Sequence, residues 1–271
     1  MTKLLGVIGH PISHSLSPLI HNAWFREHGI DARYEAMQVP PGDLKYALES
    51  LQREGCKGLN ITLPHKEDAL RFSDEQGDIA KRLGAANTLI RTKDGGWRAE
   101  NTDVPGFLFA LKSANVDLAG KSVFILGAGG SARAVALSLT DLGANITVCN
   151  RTIKRAEELC ALIAAPMTIC SLSEGLENLA AADAVINTLS IGYSGATLDL
   201  PPGDGRLFFD ISYGKAADKI LHSAKSNNWK TADGLTMLAA QAAFSFQYWF
   251  GIFPDTATAL ERCRKAVEAT Q

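Results

Sequence analysis

Val123-Phe-Ile-Leu-Gly127-Ala128-Gly129-Gly130-Ser131-Ala132 is an apolar run entering the spacing G-x-G-x-x-A and continuing into residues rich in Ala, Leu and Val. Strand, turn and helix follow in the order a dinucleotide-binding unit needs. Gly127 permits the tight turn, Gly129 lets backbone approach a pyrophosphate, and Ala132 lets the helix pack on the strand, with the helix N-terminus facing the negative charge. An α/β rhythm extends from it. A helix is expected to Leu142, a strand from Asn145 to Cys149 and a helix from Ile153 to Ile163. Strands are expected at Met167 to Leu172, Asp183 to Leu189 and Leu207 to Ser212, with helices near Glu174 to Ala181 and Ala216 to Asn227.

The next strand selects the dinucleotide. Where an NAD site places Asp or Glu against the ribose hydroxyls, this chain reads Cys149-Asn150-Arg151-Thr152, with Arg155 one helical turn on. A carboxylate there repels a 2′-phosphate, whereas guanidinium groups offer it charge-assisted donors and a face for adenine. Two cations at a helix N-terminus also oppose the macrodipole and ask for an anion. NADP is the expected cofactor.

The first hundred residues carry a second α/β series. Leu4 to Gly9, Arg33 to Val39 and Lys57 to Thr62 read as strands, with helices after Ser17-Pro18 and from Gly42 to Glu54. Ser17 is the expected N-cap, Pro18 suits the first turn and Gly29 closes the helix. Thr88 to Arg91 and Trp97 to Glu100 flank Lys-Asp-Gly-Gly, a hairpin signal. A helical pattern within Val104 to Ala119 joins the two series, and after Asp233 the chain reads as helix only.

The 271 residues carry 27 Lys+Arg against 29 Asp+Glu and are 46% hydrophobic, which suits one large or two medium folded domains. A formal charge of −2 gives no field for a phosphate backbone, so nucleic acid is not an expected partner. Cysteines at 56, 149, 160, 170 and 263 form no C-x-x-C pair, so reduced thiols are expected, not a zinc ribbon or disulfide scaffold. His10, His14 and His21 share no helical face, Pro11 and Pro18 intervening, and no metal is expected. Met1 to Gly9 is too short an apolar run for a signal peptide. Gly234 to Pro254 is uncharged and approaches membrane length, yet Thr236, Gln241, Ser245, Gln247 and Tyr248 interrupt it, which favours a buried helix.

Three polar groups stand where inferred strands or turns begin or end: Asn60-Ile-Thr62 with Lys66, Asn87-Thr88, and Asn101-Thr102-Asp103. Ligands dock at such places in open α/β sheets, although turn chemistry accounts for each group taken singly. Ser15 and Ser17, alternate residues before a helix, leave two readings open, a helix cap or an anion site in which both hydroxyls point the same way toward one carboxylate.

These pieces together resemble the shikimate dehydrogenases from end to end. The matching residues are His14-Ser-Leu-Ser-Pro18, Asn60-Ile-Thr-Leu-Pro-His-Lys66, Gly84-Ala-Ala-Asn-Thr88, Asn101-Thr-Asp103 with Gly106, Gly127-Ala-Gly-Gly-Ser-Ala-Arg-Ala134, Asn150-Arg-Thr152, Asp210-Ile-Ser-Tyr213 and Asp233-Gly-Leu followed by Gln241. The resemblance implies NADPH-dependent reduction of 3-dehydroshikimate to shikimate, on the path to aromatic amino acids. It implies an α/β fold of two domains, a substrate-binding domain with a mixed sheet (1–103 plus 239–271) and a Rossmann-type NADP domain with a parallel sheet (104–238).

By position, Lys66 and Asp103 would form the catalytic pair. Ser15 and Ser17 would hold the substrate carboxylate, Thr62, Asn87, Asp103 and Gln241 its ring and hydroxyls, and Tyr213 would reach it from the cofactor domain. Gly127, Ala128, Gly129, Gly130, Ser131, Asn150, Arg151, Thr152, Arg155 and Gly234 would bind NADP, with Asp78 and the Ile211 backbone as further candidates. A cytoplasmic monomer or homodimer is expected, acting on small molecules without nucleic acid or membrane. Asn187-Thr-Leu-Ser-Ile-Gly-Tyr193 departs from the family pattern, with Leu189 in place of a hydroxyl and Tyr193 of a methionine, and Thr236 stands where glycine is common. The competing readings are a quinate/shikimate dehydrogenase of broader specificity and a non-catalytic NADP-sensing relative. Arg151 and Arg155 argue against NAD, and retention of both Lys66 and Asp103 argues against a sensor.

Overall fold

The computed structural model describes residues 2–269. Two compact units emerge: residues up to Gly106 with Ala239–Cys263, and Phe107–Leu238 with the described residues from Arg264 onward.

In the first unit β1 (Lys3–Gly9), β2 (Ala32–Gln38), β3 (Gly58–Ile61), β4 (Glu75–Gln76), β5 (Thr88–Arg91) and β6 (Trp97–Glu100) form a sheet in the order β2-β1-β3-β5-β6-β4. β1 runs parallel to β2 and β3, while β5 is antiparallel to both β3 and β6, so the hairpin makes the sheet mixed. Helices α1 (Ser17–Glu27), α2 (Leu44–Arg53), α3 (Lys66–Arg71) and α4 (Asp78–Leu83) fill the connections. On α2, Leu44, Leu48 and Leu51 recur at helical spacing and are buried against Ile8, Leu59, Ile61, Leu89 and Trp97. Each such leucine stabilises the unit by about 2 kcal/mol.

The start of α1 departs from expectation. Leu16 occupies the N-cap in helical backbone geometry, with Ser17 already inside the helix. Residues 13–14 turn, so Ser15 and Ser17 do not lie on one extended segment. Ser15 supplies the local contact instead, its Oγ accepting the Ser17 N–H at 3.3 Å. Both hydroxyls nonetheless stand at the helix start.

The second unit holds β7 (Ser122–Leu126), β8 (Asn145–Asn150), β9 (Thr168–Ser171), β10 (Ala184–Asn187), β11 (Leu207–Asp210) and β12 (Lys230–Ala232), all parallel, in the order β12-β11-β10-β7-β8-β9. Numbered within the unit this is 3-2-1-4-5-6, the doubly wound arrangement whose ligand crevice lies at the carboxyl ends of the strands. The expected strand at 167–172 and helix at 174–181 prove shorter and shifted. Ser171 caps α8 (Leu172–Glu177) through a capping box with Glu174, and a separate 3-10 turn, Leu179–Ala181, follows. The other connections are α6 (Gly130–Asp141), α7 (Ile153–Ile163) and α9 (Lys215–Ser226).

Unit boundaries fall within α5 (Asp103–Ser113), α10 (Leu235–Phe250) and α11 (Thr256–Glu268). The uncharged stretch is α10, whose Ala239, Ala240, Ala242, Ala243 and Phe246 are buried and whose Trp249 Nε1 donates to Leu89 O at 3.1 Å. No helix among the described residues is long and apolar enough to cross a membrane.

Candidate active site and cofactor turn

In the first unit the three polar groups come together. β3 and β5 pair Asn60 with Thr88, and β5 and β6 pair Thr88 with Glu100, so the ends of three strands lie side by side. Just beyond them, Asn87 Nδ2 donates to Asp103 Oδ1 at 2.8 Å and to Thr102 Oγ1 at 3.0 Å, while Asn87 Oδ1 accepts the Thr102 N–H at 2.7 Å. Asn101 Oδ1 accepts the Asp103 N–H at 2.9 Å. Asp103 thus enters α5 with its backbone held and one carboxylate oxygen already occupied.

Its other oxygen, Oδ2, accepts from Lys66 Nζ at 2.6 Å, a short charge-assisted bond. The two side chains are 15% and 11% exposed, sheltered enough to strengthen the attraction yet open to a small molecule. Lys66 begins α3, directly after His65, whose buried ring is fixed by Nε2 against Val39 O at 2.7 Å. Gln241 Oε1 lies 3.4 Å from Thr102 Oγ1 and 3.5 Å from Asn87 Nδ2, joining the group from α10. Thr62 lies one residue past β3, and Asp78 opens α4 on the surface.

Beneath these residues lies a layer the sequence reading left out of the site. Ser245 is fully buried, within 2.8 Å of Thr88 Oγ1, 2.9 Å of Asn60 Nδ2 and 3.2 Å of Thr102 Oγ1, and its Oγ donates to Gln241 O at 3.0 Å. Tyr34 donates to Asn60 Oδ1 at 2.6 Å, closing the network. The usable signal was spacing: Ser245 follows Gln241 by four residues, on the same face of an uncharged helix.

In the second unit, Gly127 has φ +108°, and a Cβ there would meet Thr188 Oγ1 at 2.5 Å, so glycine is required twice over. A Cβ at Gly129 or Gly130 would meet nothing within 4 Å, leaving the turn open to a ligand. α6 begins there with no side-chain cap and no acid in its first turn, and neither does α7 have them on the neighbouring strand end. Arg151, Thr152 and Arg155 are exposed around that second N-terminus, and Asn150 Nδ2 donates to Thr152 O at 2.9 Å. Helix starts without side-chain caps, beside exposed guanidinium groups, fit the pyrophosphate and 2′-phosphate of NADP.

Gly234 and Ile211 are in contact, since a Cβ at 234 would stand 1.9 Å from Ile211 O. Tyr213 lies between β11 and α9. Of the departures from the family pattern, Leu189 borders the glycine turn, its Cδ2 3.3 Å from the place of a Gly127 Cβ. Tyr193 is 75% exposed on a 3-10 turn, and Thr236 lies in the first turn of α10.

Comparison with known proteins agrees along the whole chain. Residues 7–89 match the shikimate dehydrogenase substrate binding domain, 109–236 the shikimate / quinate 5-dehydrogenase model and 234–267 the shikimate 5′-dehydrogenase C-terminal domain. Shikimate dehydrogenase (NADP(+)) of Hyphomonas neptunium is 54% identical over 270 residues, covering 100% of both chains. The crystal structure of shikimate dehydrogenase from Aquifex aeolicus superposes with a TM-score of 0.89 at 35% identity, covering 97% of this chain and 98% of that one. Shikimate 5-dehydrogenase from Thermus thermophilus, crystallised with NADP(H) and shikimate, gives 0.87 at 34% identity, covering 97% and 99%. With its paired Lys66 and Asp103, its open glycine turn and these matches, the chain belongs to the shikimate dehydrogenase family.

Proposed function

We infer that the chain is an NADP-dependent oxidoreductase that reversibly reduces 3-dehydroshikimate to shikimate, in the biosynthesis of chorismate and the aromatic amino acids. The observation that carries this reading is the Lys66–Asp103 pair, held at 2.6 Å within a polyol-like set of donors and acceptors. NADPH, when bound, supplies the hydride. Reduction of a ketone builds negative charge on its oxygen, which must be neutralised and protonated. Lys66 gives one N–H to Asp103 and keeps others for that oxygen, as donor of both charge and proton. Asp103 aims the ammonium and accepts a ring hydroxyl; Asn87, Thr62 and Gln241 supply the remaining polar contacts.

Ser15 and Ser17, at the N-terminus of α1, hold the carboxylate, and Tyr213 is a further substrate residue. Gly127 to Ser131, Asn150, Arg151, Thr152, Arg155 and Gly234 hold NADP, with Asp78 and Ile211 assisting. On this reading 1–103 plus 239–271 form the substrate-binding domain and 104–238 the cofactor domain, and the enzyme works in the cytoplasm as a monomer or homodimer.

One assay tests the assignment: absorbance at the reduced-nicotinamide band with shikimate or quinate, each crossed with NADP or NAD. Shikimate with NADP is expected to dominate. Activity confined to quinate with NAD overturns the substrate and cofactor together, and no activity with any pair leaves a cofactor-binding sensor.

A further inference from the structure

Beside the cofactor turn lies a pair of thiols that the reduction does not use. β8 and β9 run parallel with Cys149 directly opposite Cys170, and the Cys170 thiol donates to the Cys149 sulfur across 3.3 Å. Neighbouring strands are about 4.8 Å apart, inside the roughly 4.4–6.8 Å between Cα atoms that a disulfide spans. Reaching the bonded distance of about 2.05 Å then needs an approach of little more than 1 Å. Glycine makes room for the two sulfurs. A Cβ at Gly175 would stand 2.4 Å from Cys149 Sγ and 3.4 Å from Cys170 Sγ, so α8 crosses the pair as bare backbone.

The two sulfurs are unequal. Cys149 is fully buried, and burial pushes its thiol well above the ordinary range. Cys170 is half-buried and is the one an oxidant meets. Cys149 is also tied to both halves of the dinucleotide site: its carbonyl accepts the Gly127 N–H at 2.8 Å, and Asn150 and Arg151 follow it directly. A pull on this residue reaches the turn and the strand end together.

We propose that Cys149 and Cys170 form a redox-active dithiol that a hydroperoxide such as hydrogen peroxide converts to a disulfide, weakening the neighbouring NADP site. The Cys170 sulfur attacks the peroxide O–O bond, giving a sulfenic acid and water. The Cys149 sulfur then attacks that sulfenic sulfur, and a second water leaves as the S–S bond forms. Two thiols and one peroxide become one disulfide and two waters. A thiol reductant reverses the change. The effect on affinity rests on the assignment of Gly127 to Ser131 and Asn150 to Arg155 to NADP; the disulfide itself does not.

The test treats the reduced full-length protein with hydrogen peroxide, then combines non-reducing peptide mapping with NADPH titration by nicotinamide fluorescence. Expected are a peptide joining Cys149 to Cys170, a rise in NADPH Kd of about fivefold or more, and recovery of both with dithiothreitol. Cys170→Ser is expected to bind NADPH as the reduced parent does and to keep that affinity through peroxide. Cys170 oxidised to sulfinic acid without a cross-link, or a cross-link to another cysteine, overturns the dithiol. A Cys149–Cys170 cross-link with unchanged Kd overturns its coupling to the site. Failure of the reduced protein to bind NADPH at all refutes the coupling and the functional reading alike, and mapping still judges the dithiol.

Discussion

The two units hold their candidate ligand groups in opposite ways. In the first, Asp103, Asn87, Thr102 and Gln241 are hydrogen-bonded to one another, and the one charged pair is sheltered and already formed. In the second, the glycine turn is bare, the N-termini of α6 and α7 lack side-chain caps, and Arg151 and Arg155 are exposed. The first arrangement is organised before anything binds, as electrostatic catalysis requires. On the proposed function the second is completed by NADP, whose phosphates would accept from the two helix starts. Damage to the first is therefore expected in turnover, and damage to the second in cofactor affinity.

Lys66→Ala is the sharpest way to break that division. Removing a positioned proton donor costs about 10²–10⁴-fold in rate, and steady-state kinetics should show such a fall in kcat. Asp103 keeps its bonds from Asn87, so the fold should persist. The KM for NADPH should stay within about twofold of the parent. Equal kcat in mutant and parent would remove the mechanism.

The reciprocal experiment is Arg151→Ala with Arg155→Ala. A hydrogen bond to a charged group contributes about 1.5–3 kcal/mol, so losing these donors should raise the NADPH KM by about 10–100-fold. kcat at saturating cofactor should hardly move. Use of NAD, which has no 2′-phosphate, should be almost unaffected, so the preference for NADP narrows. If NAD and NADP activities fall together, the two guanidinium groups serve the fold and not the phosphate.

Legibility in the sequence also divided unevenly. Five of the second unit's strands are legible, because buried parallel strands leave apolar runs and the helices between them keep their period; α7 has the expected bounds, whereas the three-residue β12 is too short to show. The stretch after Lys66 shows no legible elements. α3 and α4 have six residues each and β4 two, too few for any period to show. The polar network was harder still. Asn60 meets Ser245 across 185 positions and Trp249 meets Leu89 across 160, contacts no local pattern records. Lys66 and Asp103 pair through the family resemblance alone, since nothing local marks one as the partner of the other at a separation of 37 positions. The misplaced cap at Ser17 has a local cause: the turn at residues 13–14 brings Ser15, not Ser17, to the free N–H.

The smallest expected effect asks whether the units also differ in their response to acid. His21 of α1 is fully buried, stacked on Tyr34 at 4.3 Å and flanked by Trp24, Phe246 and Trp249. Burial, outweighing the opposing effect of the Asn60 side chain, pushes its imidazole down to about 3. Between that value and the ordinary 6.5 the unfolded chain binds a proton that the folded chain refuses, so the first unit loses stability as pH falls through this window. Well inside the window the loss approaches about 1.4 kcal/mol per pH unit. Two buried carboxylates of the second unit act with the opposite sign. Burial raises Asp210 and Asp233 from the ordinary carboxylate value, so their contribution is full at low pH and declines as pH rises through their folded values. Acid should therefore loosen the first unit before the second, which hydrogen exchange at pH 7 and pH 4.5 can read amide by amide. His21→Phe keeps the ring against Tyr34 while removing the titration, so it should flatten the acid limb of the Tm profile without lowering Tm at neutral pH. An acid limb of equal slope in mutant and parent would show that the loss arises elsewhere.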